Sequence, residues 1–323
     1  MKKNHLFYLN NLEVLKRIPD KYVDLVYADP PYNTGVERVV GTRPIADIEM
    51  GVGYKDKMSE EDYKNLMIST FIECYRVIKD TGSLFLHINY EMSFEFKSWL
   101  DGIFSKSNFV TQIIWQRKGQ GHCSFVGSYS KKFSSNYDTI LHYSKSGKKY
   151  FKPQIIAHTK EYVNEKFKKD ENGELYYDIP IWNKSTVKKL EEKGLITGRN
   201  TTSKYGEFAI AKRYYKDMLQ GSVISNIWTD ISNVAKPDYP TQKPVKLLTR
   251  IIDSSCPPGG IVLDPFMGSG TTCVAAYQNG MMYIGIDEKQ EALDLTKKRL
   301  DEIPDLFIEG LVKDYTVDDY SEF

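Results

Sequence analysis

Apolar residues fall in short unbroken runs separated by polar segments of helical period, and the runs recur in the order strand, helix, strand. His5-Leu6-Phe7-Tyr8-Leu9 reads as a strand, Asn10-Asn11 as the cap of a helix from Leu12 to Ile18, and Val23-Asp24-Leu25-Val26-Tyr27-Ala28 as a buried strand. Two strands linked through a helix in so short a span make a minimal parallel crossover. Residues 33–57 have no periodicity, and Gly35, Gly41, Gly51 and Gly53 mark them as a loop. Ser59-Glu60-Glu61-Asp62 opens a helix with an N-cap and an acidic first turn, its apolar face running from Leu66 to Ile78, and Asp80-Thr81-Gly82 is expected to end it. A strand at 83–88, a helix at 94–104 and strands at 111–115 and 137–143 follow. Across 145–226 the rhythm stops, leaving one short helix at 186–193 with Gly194 as its C-cap. It returns with an amphipathic helix at 244–254, a strand at 261–263, a Gly-rich loop, a helix from about 272 to 279 and a strand at 282–286. The pattern predicts an α/β fold built from parallel crossovers, divided into 1–144, 145–226 and 227–323, the middle part being an inserted or second domain.

Composition adds one asymmetry. The net charge is only +1, yet residues 112–220 hold 21 Lys and Arg against 11 Asp and Glu, and 10 of the 23 tyrosines. Basic and aromatic residues interleaved in this way suit a surface that neutralises phosphates and stacks on bases. No apolar run reaches membrane-spanning length, so a cytoplasmic protein is expected. Cys74, Cys123, Cys256 and Cys273 are scattered and no histidine clusters with them, so no metal site and no structural disulfide is expected.

Two stretches carry chemistry. Asp29-Pro30-Pro31-Tyr32 follows a buried strand, where ligands of open α/β sheets bind. The prolines have no N–H and force the chain out of the sheet, leaving the Pro30 carbonyl free to accept a hydrogen bond beside the Asp29 carboxylate. The second stretch, Asp264-Pro265-Phe266-Met267-Gly268-Ser269-Gly270-Thr271-Thr272, joins a strand to a helix, and Asp287 ends the next strand, where an acid commonly accepts from ribose hydroxyls. The loop is neither G-x-G-x-x-G nor a loop ending in G-K-[ST]. Asp264 would repel a pyrophosphate and pair with an ammonium, a charge pattern that fits S-adenosylmethionine better than NAD or ATP.

These stretches, with Tyr239-Pro240-Thr241-Gln242-Lys243-Pro244 between them, resemble the DNA amino-methyltransferases that modify N6 of adenine or N4 of cytosine. Catalytic motif first and cofactor loop last is the order of the permuted beta group, and the likeness covers roughly residues 5–145 and 226–300. It implies an α/β fold with a doubly wound, mostly parallel, seven-stranded methyltransferase (Rossmann-like) sheet in which both motifs meet. It implies catalysis by Asp29, Pro30, Pro31 and Tyr32, with Tyr32 stacking on an extruded base. For the cofactor it implies Asp264, Pro265, Phe266, Gly268, Ser269, Gly270, Thr271, Thr272 and Asp287, with Thr241 and Lys243 near its carboxylate. Relatives carry Gly-Asp where this chain has Asn10-Asn11 near the cofactor adenine; an Asn side chain still accepts from an amine.

The resemblance further implies double-stranded DNA as substrate, a cognate restriction endonuclease, a homodimer and nucleoid association. The expected DNA contacts are Arg117, Lys118, Lys131, Lys132, Lys148, Lys149, Lys168 and Lys169, with 145–226 as target-recognition region. Asp at position 29 favours adenine, where cytosine-N4 relatives often have Ser. Cys256-Pro257 reverses the Pro-Cys of cytosine-C5 enzymes and is read as structural. The competing readings are a cytosine-N4 enzyme and a catalytically silent nucleic-acid-binding module; the missing dinucleotide fingerprint argues against an oxidoreductase.

Overall fold

The computed structural model describes residues 4–33, 58–117, 135–201, 206–217, 221–235, 237, 239, 242–304 and 315–317. The first part runs β1 (Asn4–Tyr8), α1 (Asn11–Leu15), β2 (Val23–Ala28), α2 (Glu60–Val77), β3 (Ile78–Asn89), α3 (Ser93–Phe104), β4 (Phe109–Gln116) and β5 (Tyr137–Ser144). Next come β6 (Ile155–Ala157), α4 (Lys160–Lys166), β7 (Lys168–Lys169), β8 (Leu175–Ile181), α5 (Lys184–Glu191), β9 (Ile196–Asn200), β10 (Phe208–Tyr214) and β11 (Gly221–Val223). The chain closes with β12 (Ile227–Trp228), α6 (Val245–Ser255), β13 (Ile261–Asp264), α7 (Thr271–Gln278), β14 (Met282–Asp287), α8 (Gln290–Asp301) and β15 (Tyr315–Val317).

The chain forms two compact units, 1–152 with 225–323, and 153–224. The larger holds a sheet ordered β12-β4-β5-β3-β2-β13-β14-β1-β15. Its seven principal strands are those expected, with β12 and β15 as short edge additions; β5 alone runs antiparallel to its neighbours. β2, apolar but for Asp24, is buried along its whole length between β3 and β13, as a two-sided parallel strand must be. One face packs on α1, α2 and α3 through Val26, Leu84, Leu86 and Leu263 against Val14, Met67, Phe71 and Phe96. Gly285 of β14 faces the other way, towards Cys273 of α7.

Two boundaries differ from expectation. α1 is a single turn and a half, capped by the Asn10 side chain on the Leu12 N–H at 3.0 Å. Asp80-Thr81-Gly82 does not end α2 but lies within β3: Val23 pairs with Ile78 and Leu25 with Ser83, so Lys79 to Gly82 form a bulge. Buried Asp24 accounts for it by accepting from Lys79 Nζ at 2.7 Å and from the Ile261 N–H at 2.9 Å. A Cβ on Gly82 would lie 2.7 Å from the Asp24 carbonyl, which explains glycine there.

The smaller unit has an antiparallel sheet ordered β7-β8-β10-β9 and a β6/β11 hairpin. Its fully buried apolar residues, among those described, are only Ala209 and Ala211. Aromatic edges replace a deep core, with Phe167 against Tyr177 and Tyr215, and Trp182 against Phe208.

Candidate active site

Beyond Ala28 the chain leaves β2 and the Asp29 carboxylate meets two partners. Tyr32 donates its hydroxyl to Oδ1 at 2.7 Å, and Lys243 Nζ pairs with Oδ2. Both members of the ion pair are largely withdrawn from water, with 13% and 18% of their side chains exposed. A carboxylate has about four lone-pair sites, so two remain for a substrate. Tyr63, in the first turn of α2, donates to the Pro31 carbonyl at 2.6 Å and so holds the second peptide of the turn. Burial first, then the Asp29 charge, pushes the Tyr32 phenol well above its ordinary range.

The second half lies at the end of the neighbouring strand. Asp264 of β13 accepts from the Phe266 N–H at 3.0 Å and from the Thr272 hydroxyl at 2.5 Å. Burial pushes its pKa up to about 7; the bonds from Thr272 and Phe266 oppose this, and the charges of Asp29 and Asp287 add to it. Gly268 and Gly270 have φ of 51° and 70°, the left-handed region that favours glycine. Asp287 accepts from the Gly268 N–H at 2.8 Å and the Lys289 N–H at 3.0 Å, fastening the loop to β14, and burial raises its pKa too. Arg299 of α8 reaches the Ser269 carbonyl, the Ser269 hydroxyl at 3.2 Å and the Thr271 hydroxyl at 3.0 Å. The Ser269, Thr271 and Thr272 hydroxyls thus bond within the scaffold, which leaves the glycines to give a ligand its close approach.

Asp29, Asp264 and Asp287 end three adjacent parallel strands, β2, β13 and β14, and the first and third act electrostatically on the second. Asn10 joins them, since β1 pairs with β14 and the Leu9 N–H donates to the Asp287 carbonyl at 3.1 Å. Thr241, Lys118, Lys131 and Lys132, and most of the 33–57 loop, lie outside the described residues. Five expected DNA contacts are placed less simply. Arg117 turns inward, with Nη1 3.7 Å from Asp138 Oδ1. Lys148 and Lys149 follow β5 at the opposite end of the sheet from the Asp29 turn, beside Thr81, whose carbonyl accepts from the Tyr150 N–H. Lys168 pairs with Asp178 at 2.6 Å in the smaller unit, with Lys169 next to it on β7. Tyr63 and Arg299 are not marked by any sequence motif, and Tyr239, quoted in the motif at 239–244 without a role, packs over Gly268. Burial raises the thiol pKa of Cys256, in keeping with a structural role.

A parallel sheet with a D-P-P-Y turn and an acidic, Gly-rich loop at neighbouring strand ends defines a class of DNA-modifying methylases. A family model described as DNA methylase, for the N6- and N4-acting enzymes, matches residues 23–298, and the chain belongs to that family. Among relatives, the type II methyltransferase M.EcaI of Enterobacter cloacae is 28% identical over 92% of this chain and 69% of its own length. The DNA adenine methyltransferase YhdJ of Escherichia coli is also 28% identical, over 94% of this chain and 84% of its own length. The fold is shared with the modification methylase TTHA0409 of Thermus thermophilus, solved in complex with S-adenosyl-L-methionine, at a TM-score of 0.53, 18% identity and 97% coverage of both chains. It is shared equally with the cytosine-N4-specific PvuII DNA methyltransferase, at a TM-score of 0.55, 14% identity and coverage of 95% of this chain and 89% of that one.

Proposed function

We propose that the chain transfers a methyl group from S-adenosylmethionine to the N6 amine of an adenine extruded from double-stranded DNA. The observation that carries this reading is the convergence of Asp29, Asp264 and Asp287 at adjacent strand ends: carboxylates so placed fit a cationic donor, and one of them sits on the D-P-P-Y turn. S-adenosylmethionine, when bound, supplies an electrophilic methyl on a sulfonium. Asp264 and the Gly268–Gly270 backbone would hold its amino-acid end, Asp287 and Asn10 its nucleoside end.

An exocyclic amine is a poor nucleophile because its lone pair is conjugated into the ring. Asp29 and the Pro30 carbonyl accept its two hydrogens and favour the pyramidal nitrogen of the transition state, which is where electrostatic stabilisation lowers the barrier. Tyr32, anchored through Asp29, presents its ring for stacking on the extruded base. Lys243 offsets the Asp29 charge until substrate arrives. Asp rather than Ser at position 29 and the likeness to YhdJ support adenine over cytosine.

The unit 153–224, basic, aromatic and poor in core, serves as target-recognition surface in this reading. Lys169 and the α5 lysines would add phosphate contacts there to those expected of Lys148 and Lys149. A cognate endonuclease and a homodimer, implied by family likeness, belong to the same proposal. The test is labelled methyl transfer to DNA followed by nucleoside digestion. N6-methyladenine with wild type and none with Asp29→Ala is expected; N4-methylcytosine would overturn the base assignment, and unimpaired Asp29→Ala the role of the turn.

A further inference from the structure

The turn that carries Asp29 has no ladder to hold it: the last paired residue of β2 is Ala28, opposite Leu86, and Pro30 and Pro31 have no N–H to offer. Methyl transfer tolerates little misplacement, since a 1 Å error costs on the order of a hundredfold in rate. Tyr63 holds the far side of the turn. On the near side, three side chains outside the site described above form a hydrogen-bonded chain across three strands.

Tyr27 is two residues before Asp29 and close enough for the Asp29 charge to act on its phenol. Its hydroxyl is 2.7 Å from Nδ1 of His87 in β3, and His87 Nε2 is 3.2 Å from Oδ2 of Asp138 in β5. The His87 bond, together with the His87 and Arg117 charges, keeps the Asp138 carboxyl below its usual range against the opposing effect of burial. An ionised carboxylate can only accept, so Nε2 is the donor to Asp138. The Trp115 ring stands edge-on to His87 at 5.6 Å, its own indole N–H tied to the Ile231 carbonyl at 2.9 Å. Tyr27, His87 and Asp138 are all buried. Three buried polar groups stabilise a fold no better than apolar residues of the same shape, so the gain from them is a defined position.

We infer that Tyr27, His87 and Asp138 are positioning residues for methyl transfer, locking the end of β2 so that Asp29 and the Pro30 carbonyl keep their places. The inference rests on the methyl-transfer reading and adds residues that neither motif contains. Tyr27→Phe removes one oxygen and leaves the packing in place. With unmethylated genomic DNA as substrate, Tyr27→Phe should lower kcat by about tenfold or more and leave the KM for donor and DNA within about twofold. Asp138→Asn, whose amide oxygen still accepts from Nε2, should recover part of the kcat that Asp138→Ala loses. An unchanged kcat in Tyr27→Phe overturns the inference. So does a loss confined to KM or one that follows a lowered Tm, and so does Asp138→Asn no better than Asp138→Ala. Transfer by the wild type separates the two claims: its absence removes the methyl-transfer reading, whereas its presence with an unimpaired Tyr27→Phe removes this inference alone.

Discussion

If the donor's ammonium pairs with Asp264 as proposed, donor binding becomes a proton-linked event. The pKa of Asp264 is about 7 against a reference of 3.8, a rise of about three units, so ionising it in the free protein is about 4 kcal/mol harder than in water at roughly 1.4 kcal/mol per unit. Burial is the main cause, with Asp29 and Asp287 adding to it. A ligand ammonium paired with this carboxylate reverses the balance, because the ionised form then has its partner. Donor affinity should rise about tenfold per pH unit below 7 and flatten above it, a change on the order of twentyfold between pH 5.5 and 7.5. Near pH 6 close to one proton should leave per donor bound, read by calorimetry in two buffers of different ionisation enthalpy. In the free protein the sign is opposite to that of a salt-bridged acid. The folded state holds the proton more tightly than the unfolded chain, so this group's contribution to stability is lost as pH rises from about 4 to about 7. Asp264→Asn should abolish the proton release and flatten the difference in Tm between pH 5.5 and 7.5. Wild-type affinity that is flat across this range, with no proton released, would refute the pairing.

Other substitutions probe the scaffold. Gly270→Ala places a Cβ against Thr296 at a φ of 70° and should destabilise by about 2–4 kcal/mol in urea unfolding. Lys243→Met leaves the Asp29 carboxylate withdrawn from water without its cation; a loss of roughly 1–3 kcal/mol in stability is expected, with transfer reduced in a labelled-donor assay. Tyr63→Phe frees the Pro31 carbonyl at a cost of about 1 kcal/mol and should lower kcat more than KM. Wild-type kinetics in that variant would show that the turn holds itself.

The motif residues were legible because their chemistry is carried by contiguous positions at the ends of apolar strands. Asp29 to Tyr32 and Asp264 to Thr272 stand where the hydrophobic pattern stops, and the structure places both at carboxyl ends of parallel strands. Their supporting residues were not legible. Lys243 meets Asp29 across 214 positions and His87 meets Asp138 across 51, distances over which no local pattern marks a pair. A signal does exist for some: Asp24 interrupts an otherwise apolar strand and His87 the apolar run from Leu84 to Ile88, and a polar group buried there requires a partner. It announces the need without naming the residue that meets it. Charge count likewise has no direction, so it did not show that the antiparallel run of β5 carries Lys148 and Lys149 away from the Asp29 turn.

By itself the sequence determined the alternation of strands and helices, the break at the insertion and the two motifs, because periodicity and turn chemistry act over a few residues. The adjacency of β13 and β2 was implied by the family resemblance and by no local pattern, and only the tertiary structure decided that Asp29 is paired with Lys243 and that three carboxylates face one site. Strand order arises from burying two apolar faces of a sheet at once, which depends on helices packed from distant parts of the chain and leaves no trace in any local run of residues.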